Sequence, residues 1–274
     1  MKPTYLLILG LATLAATSVN PDTSGPYVDS HGGVWDALPH PDQYPSYAAF
    51  DALFSNEIFT TRDGNRFQLD RALTAVELAS SRAKQQLRQS FINAQGSGNN
   101  VRAAVSTNNP VDEEFVALFA TINDVKAYVV AKAAIADASM KSKWSIDMVP
   151  TKGALWDSKD TNDIVALHDE AYSEHGLAGT DMMQAWSADP TPSSAIGVAY
   201  IGLPRLLVKK YLTFEGNILE HEIGHTYTLQ HCCDTNCTMQ AVLDTGALGG
   251  FHNYNESCSG QNHTSVMNTQ KNRY

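Results

Sequence analysis

Apolar residues at helical spacing form the clearest pattern in the first third of the chain. They would share one face of a helix, which we expect over Leu69–Ala94. The residues on that face are Leu69, Leu73, Val76, Ala83, Leu87 and Phe91. The preceding segment, Val19–Gly64, is rich in Pro, Gly, Asp and Ser without a sustained period, which predicts an irregular structure. Gly96–Asn100 (GSGNN) predicts a linker and a domain boundary.

Beyond this linker, short apolar runs alternate with helical patterns. Asn109 is expected as the N-cap, and Pro110 as the first residue, of a helix that runs towards Ala138. The remaining predicted helices are Thr161–His175 and Thr213–Thr228. The predicted strands are Val101–Val105, Trp144–Met148, Met182–Trp186 and Ala195–Ile201. This alternation predicts an α/β domain with a mostly parallel sheet.

Composition and charge limit the classes of partner. The chain has 274 residues, of which 43% are hydrophobic, enough for a buried core in one large domain or two smaller ones. Its net charge is −10 and it has no cluster of basic residues. This balance argues against nucleic acid or an anionic membrane as the main partner.

The first residues have the features of a secretory signal peptide. Lys2 gives a positive start, and Tyr5–Ala16 is an apolar run too short for a stable membrane anchor. Ala16-Thr17-Ser18 then offers small residues for cleavage. We expect an exported monomer, secreted or periplasmic, that makes no membrane contact after cleavage. Its parts would be a signal peptide at 1–18, an extension or pro-region at 19–99 and the main domain at 100–274.

All four cysteines lie in the last fifth of the chain: Cys232, Cys233, Cys237 and Cys258. In an oxidising compartment an even number of cysteines favours two disulfides, and three pairings are open. Adjacent Cys232 and Cys233 rarely bond to each other, so each is expected to reach a partner elsewhere. The C-terminal segment is therefore predicted to be an irregular region held by disulfides.

The segment with the strongest chemical signal is His221-Glu222-Ile223-Gly224-His225, within the predicted helix Thr213–Thr228. Residues four apart on a helix share a face, so His221 and His225 can bind one zinc ion. Glu222 can then reach a water on the metal without being a ligand. His231 can supply a third nitrogen if the helix ends sharply after His225.

Three protein ligands and one open position are typical of a catalytic zinc site. Water would take the open position, and zinc lowers the pKa of such a water to about 7. Glu222 would accept its proton and later pass it to a leaving amine. These residues therefore predict the hydrolysis of an amide bond in a polypeptide substrate.

The stretch HEIGHTYTLQH resembles the metzincin clan of zinc metallopeptidases, whose pattern is HExxHxxGxxH followed by a methionine turn under the metal. It matches at His221, Glu222, His225 and His231. Thr228 departs from the pattern, because the clan has Gly there with a positive φ that a β-branched residue tolerates poorly. The resemblance implies a metzincin-like, twisted and mostly parallel sheet with an active-site helix and a cysteine-containing irregular C-terminal subdomain. The other donors downstream are His252, His263, Asp234, Asp244 and Glu256.

Two branches of the clan fit the residues after His231. The archaemetzincin continuation would make Met239 the turn methionine and would use Cys232, Cys237 and Cys258 for a second, structural zinc. The last cysteine of that family site falls near Gln261 here, and an exported chain favours disulfides, so we expect one catalytic zinc without the second ion. A reprolysin-like arrangement would make Met267 the turn methionine, and the export signal favours this branch slightly.

In the clan, the strand before the zinc helix is a sheet edge that lines the cleft. The resemblance places this edge at Gly197, Val198, Ala199 and Tyr200. Free backbone groups on such an edge can pair with an extended peptide.

The N-terminal region contains no cysteine. Latency through a pro-region thiol on the zinc is therefore excluded, whereas an Asp or a steric plug remains open. The sequence as a whole predicts a secreted zinc-dependent endopeptidase. The alternative from another class is a catalytically silent secreted zinc-binding or structural module, against which the intact Glu222 argues.

Overall fold

The computed structural model describes residues 25–80, 103–160, 163–242 and 249–274. A five-stranded sheet lies at its centre, with the strand order β6-β5-β7-β9-β8. These strands are β5 (Ala103–Asp112), β6 (Ile146–Trp156), β7 (Met182–Ser187), β8 (Gly197–Ala199) and β9 (Arg205–Lys209). All pairs are parallel except β8 with β9, which is antiparallel and places β8 at one edge. The predicted α/β fold with a mostly parallel sheet is confirmed.

Helices cover both faces of this sheet. They are α3 (Glu113–Ala117), α4 (Ile122–Trp144), α5 (Ile164–His175) and α6 (Glu215–Thr226). A further helix, α7 (His263–Gln270), lies near the C-terminus. In β7, Met182 and Trp186 join the core formed with α4 and α6, whereas Met183 and Ala185 join the core formed with α5. This alternation is the period of a strand buried on both faces. Within the described ranges, no helix is long and apolar enough to cross a bilayer.

Most of residues 25–80 form a folded extension. Its small antiparallel sheet has the order β2-β1-β3-β4, with β1 (Tyr27–Val28), β2 (Val34–Trp35), β3 (Phe59–Thr60) and β4 (Arg66–Phe67). A short 3₁₀ helix (Pro41–Gln43) and α1 (Tyr47–Phe54) precede β3. Buried aromatic residues join this unit to the core beside α5: Tyr27, Phe50, Phe54, Phe59 and Phe67. The prediction of an irregular segment over Val19–Gly64 is wrong for its described part, because two-residue strands are too short to show a period.

The helix expected over Leu69–Ala94 begins later than predicted. Residues 69–74 are not helical, and α2 is described over 75–80. Thr74 caps it: Thr74 Oγ1 accepts a hydrogen bond from Glu77 N, and Glu77 Oε2 accepts one from Thr74 N. The rest of the expected helix, the predicted linker at 96–100 and the predicted signal peptide lie outside the described residues.

Strand β5 continues where a helix was predicted to begin. Asn109 and Pro110 are paired with Gly153 and Ala154 of β6, and no residue of β7 pairs with Pro110, which has no N–H to donate. Asn109 does not cap a helix, because its Nδ2 donates to Thr107 Oγ1 at 2.9 Å. The helix cap lies at the end of the strand, where Asp112 Oδ1 accepts from Phe115 N at 2.7 Å.

Other boundaries also differ from the sequence prediction. Strand β9 was missed because it is only five residues long and has a charged residue at each end, Arg205 and Lys209. Strand β8 is shorter than Ala195–Ile201, and Trp144 ends α4 instead of starting a strand. Helix α7 was missed because it is polar and short; its N-cap is Asn262, whose Oδ1 accepts from Ser265 N.

Helices α4 and α6 approach each other closely at Gly216. A Cβ there would lie 2.7 Å from Ile135 Cγ2 and 3.3 Å from Lys132 O. We expect Gly216→Ala to lower the free energy of unfolding by about 1 kcal/mol, because overpacking outweighs the gain in helix propensity. Denaturant unfolding measures the change. Asn123→Ala, at an exposed position of α4, should stay within about 0.5 kcal/mol of the parent; a stabilised Gly216→Ala would contradict the close approach.

Candidate metal centre

Helix α6 carries three of the predicted site residues. All of its residues are buried, so His221, Glu222 and His225 face the protein interior. The Nε2 atoms of His221 and His225 lie 3.1 Å apart. The helical spacing therefore brings both imidazoles to one point, as the sequence pattern predicts.

The structure brings His231 to the same point. Its Nε2 lies 3.3 Å from His221 Nε2 and 3.2 Å from His225 Nε2. The turn that makes this possible is at Thr228, which has a φ of 72°. Thr228 N donates to His225 O at 2.9 Å and closes the helix. Thr228 therefore adopts the conformation that the clan pattern assigns to Gly, and the chain returns to the centre despite the β-branched residue.

Backbone carbonyls fix the orientation of all three imidazoles. His221 Nδ1 lies 2.8 Å from Thr238 O, His225 Nδ1 lies 2.8 Å from Leu229 O, and His231 Nδ1 lies 2.6 Å from Ser55 O. A carbonyl can only accept, so each Nδ1 carries the hydrogen. Each neutral ring then presents the lone pair of Nε2 to the centre.

Three such lone pairs at 3.1–3.3 Å have no hydrogen to share among themselves. They repel each other unless a cation lies between them or one of the rings is protonated. Neutral imidazoles held by carbonyls are the usual ligands of zinc. These three neutral imidazoles therefore fit a zinc ion between their Nε2 atoms.

A fourth group at this centre, Asp70, was not among the predicted site residues. Its Oδ1 lies 3.0 Å from both His221 Nε2 and His231 Nε2, and its Oδ2 lies 3.9 Å from His225 Nε2. Burial alone would raise the pKa of Asp70, but the neighbouring His221 and His231 hold it well below its ordinary range. No spacing rule links residue 70 to 221, so only the folded extension reveals it.

Glu222 is buried beside this group but outside the three imidazoles. When Glu222 is ionised, neither of its carboxylate oxygens accepts a hydrogen bond from a neighbouring group. Burial raises the pKa of Glu222 well above its ordinary value, and the negative charge of Asp70 raises it further. One proton between the two carboxylates would provide a hydrogen bond. Gly197 of β8 leaves the room, because a Cβ there would collide with Glu222 Oε1.

The two candidate methionines occupy different places. A Cβ at Gly224 would collide with Met239 Sδ, so this sulfur lies directly against α6 between His221 and His225. Met267 is a buried residue of α7, and none of its atoms is among the three nearest to a Cβ at Gly224. Of the two, Met239 packs against the helix that carries His221 and His225.

The predicted edge strand lies beside α6. Gly197, Val198 and Ala199 form β8, whereas Tyr200 follows it and donates through its hydroxyl to Asp169 Oδ2 at 2.8 Å. The extension pairs with the residues just before β8, since Arg71 forms an antiparallel bridge with Ala195.

The cysteines form one disulfide, between Cys233 and Cys258. Cys232 and Cys237 are buried and free, so the prediction of two disulfides is wrong. These two sulfurs instead share a pocket with His252 and His263, and one donor atom from each residue lies within 4.8 Å of the others.

The other downstream donors do not reach the three histidines. Asp234 Oδ2 accepts from Tyr254 OH at 2.9 Å, and Glu256 Oε2 accepts from Cys258 N at 2.8 Å. Asp244 lies outside the described residues.

No protein-family model matches the sequence, and no curated protein matches it. Several solved structures resemble it distantly. A chain of a chaperone–substrate complex is 11% identical with a TM-score of 0.48, over 62% of this chain and 38% of that one. Archaemetzincin from Methanopyrus kandleri is 14% identical with a TM-score of 0.42, over 64% of this chain and 100% of that one. Metalloproteinase-II from Bacteroides fragilis is 11% identical with a TM-score of 0.38, over 71% and 72%. Likeness at this distance assigns no family.

The conformation of Thr228 makes a testable prediction. A left-handed conformation costs a residue with a Cβ about 1–2 kcal/mol, which Gly avoids. We expect Thr228→Gly to stabilise the fold by about 1 kcal/mol and to raise Tm by roughly 2–4 °C in thermal unfolding. Thr269→Gly is the matched control, because Thr269 lies on the exposed side of helix α7 without a positive φ, and it should lower Tm. If both changes lower Tm, Thr228 is not strained.

Proposed function

We propose that this chain is an exported zinc-dependent endopeptidase that hydrolyses peptide bonds in polypeptides. His221, His225 and His231 would be the zinc ligands and Glu222 the general base. The convergence of three Nε2 lone pairs at 3.1–3.3 Å is the observation that supports this proposal most directly. A buried carboxylate that belongs to α6 but not to the ligand set accompanies them, as a hydrolytic centre requires.

Zinc bound to these nitrogens would supply Lewis acidity, which polarises the scissile carbonyl and makes water a stronger acid. Glu222 accepts the proton of the attacking water and donates it to the leaving amine as the C–N bond breaks. The histidines keep their Nδ1 hydrogens on the carbonyls of Thr238, Leu229 and Ser55, so they stay neutral and keep their orientation. The bare backbone of Gly197 allows Glu222 to lie over the centre.

The neighbouring residues would have supporting roles. We place Met239 as the methionine beneath the ion, because its sulfur lies against Gly224. The edge strand, formed by Gly197, Val198 and Ala199, would pair with the backbone of an extended polypeptide substrate. Because such pairing uses backbone groups, this edge would contribute little selectivity for the side chains of the substrate. Residues 1–18 would be a signal peptide, 19–99 a pro-region and 100–274 the catalytic domain.

Glu222→Gln distinguishes a peptidase from a silent zinc-binding module. The amide keeps the shape of the side chain but cannot accept a proton, so we expect the hydrolysis of fluorescent casein to fall by about 10²–10⁴-fold while the zinc content stays unchanged. Casein hydrolysis should be measured before and after limited trypsin digestion within 81–102, and the zinc content by atomic absorption. Glu174→Gln, at an exposed position of α5, should keep full activity. If neither the parent nor its digested form cleaves casein, the silent module is the better assignment.

The second group of donors supports a second, structural ion, which the sequence did not lead us to expect. Cys237 Sγ lies 3.5 Å from His263 Nδ1, close to the donor spacing around a tetrahedral zinc ion. His252 Nδ1 donates to Tyr254 O at 2.9 Å, which leaves its Nε2 as a lone pair. Each free cysteine is next in sequence to a residue of the first centre: Cys232 follows the ligand His231, and Cys237 precedes Thr238, whose carbonyl contacts His221. We propose that Cys232, Cys237, His252 and His263 bind zinc and hold the loop 232–239 in place.

Cys237→Ser tests the second ion. We expect the zinc content to fall from two ions per chain to one, because serine is a poor zinc ligand. The absorption of the Co²⁺-substituted protein should lose its thiolate-to-metal band. The double change Cys233→Ser and Cys258→Ser is the control, because it removes the disulfide and should keep both ions. A zinc content of one in the parent chain would contradict the second site.

A further inference from the structure

The folded extension reaches the metal centre through three contacts. Asp70 presents its carboxylate to the three imidazoles at 3.0–3.9 Å. Gln68 Oε1 accepts a hydrogen bond from the backbone N of His231 at 2.8 Å. Ser55 O lies 2.6 Å from His231 Nδ1. The extension therefore contacts the Nε2 atoms of the centre through Asp70 and holds the third histidine, His231, through Gln68 and Ser55.

The backbone around Asp70 follows the edge of the sheet as a peptide ligand would. Ile196 N donates to Asp70 O at 3.0 Å, and Ala72 N donates to Ser194 O at 3.1 Å. Arg71 forms an antiparallel bridge with Ala195 on this side and a parallel bridge with Val242 on the other. The extension thus lies in the channel between the edge and the C-terminal segment, where strand addition would place a substrate.

An ion-pair cluster holds this backbone in place. The Arg71 guanidinium donates to both carboxylate oxygens of Asp51, at 2.6 and 2.7 Å, and to both of Glu77, at 2.8 Å. Arg71 is only 3% exposed, and two bidentate pairs restrict its orientation. The residue next to Asp70 is therefore anchored to α1 and to the first turn of α2.

A carboxylate at this place requires a positively charged partner. The lone pairs of neutral imidazoles would repel it, whereas a protonated imidazole or a cation among the nitrogens would bind it, and the absorption spectrum of a bound metal distinguishes these two. Asp70 completes a set of four donors that lie within 4.8 Å of one another, which is the number a closed zinc site takes. A closed site has no position for a reacting water.

We propose that Asp70 is the fourth protein ligand of the ion and that Leu69–Ala72 occupies the substrate channel, so that the intact chain is latent until the extension is released. This inference rests on the proposed peptidase function for its consequence, but the ligand role of Asp70 stands apart from it. Release requires cleavage between the extension and β5.

The test compares the intact zinc-loaded chain with its Asp70→Ala variant. We expect casein hydrolysis by intact Asp70→Ala to exceed that of the intact parent by at least about tenfold, which corresponds to a parent that is closed in nine molecules of ten. Tryptic cleavage within 81–102 should raise the parent to the rate of the variant. Asp63→Ala, at an exposed position of the same extension, is the matched control and should stay as latent as the parent.

A second readout does not depend on activity. In the intact Co²⁺-substituted protein, Asp70→Ala should change the visible absorption of the metal, and a peptide hydroxamate should then bind in calorimetry although it does not bind the parent. Asp70→Asn keeps the volume of the side chain and should behave in the same direction if Asp70→Ala fails to fold.

The outcomes separate the two proposals. Equal rates for the intact parent, the cleaved parent and Asp70→Ala, with an unchanged cobalt spectrum, would overturn the ligand role of Asp70 and the latency. The proposed peptidase function would still stand. A changed spectrum and new hydroxamate binding without casein hydrolysis in any form would support the Asp70 ligand and overturn the proposed peptidase function.

Discussion

The repulsion between three converging lone pairs is the constraint on which the site depends. The Nε2 atoms of His221, His225 and His231 lie 3.1–3.3 Å apart. Neutral nitrogens repel each other at such distances, so the rest of the region has to hold them there. A buried helix supplies two rings, a left-handed turn at Thr228 returns the third, and three carbonyls fix the tautomers. Each of these features is local, and together they make the centre.

The sequence revealed this part of the site because its constraints are short in range. The spacing of His221 and His225 follows from the helix, and the sharp end of that helix was anticipated from the position of His231. Even Thr228 was identified as the residue in the unusual position, although not as one that adopts the positive φ of 72°. The α/β order was predictable for the same reason, because each long buried strand or helix carries its own period.

The features that sequence reasoning missed depend on partners far along the chain. Pro110 is tolerated in β5 because β7 pairs on either side of it but not with it. The extension folds through aromatic burial against α5 rather than through periodic elements, so its composition resembled that of a loop. Asp70 meets His221 across 151 positions, and no spacing rule covers such a distance. The two free cysteines were expected in disulfides because an even number of cysteines in an exported chain favours that pairing. Only the fold shows that His252 and His263 lie beside them.

His231 is the ligand with supports from two independent parts of the molecule. On one side the extension holds it through Ser55 O and Gln68 Oε1. On the other side it is followed by residues 232–239, the cysteine loop, in which the backbone N of Cys232 donates to Met239 O at 2.9 Å. Release of the extension would remove the first support and leave His231 Nδ1 to water. The ring would then depend on the loop for its position, and the same loop carries Thr238, the carbonyl partner of His221. A rigid cysteine loop would therefore allow the centre to keep its geometry after the extension, with Asp70, is released. This is a physical reason for the position of the free thiols beside the ligands rather than elsewhere in the C-terminal region.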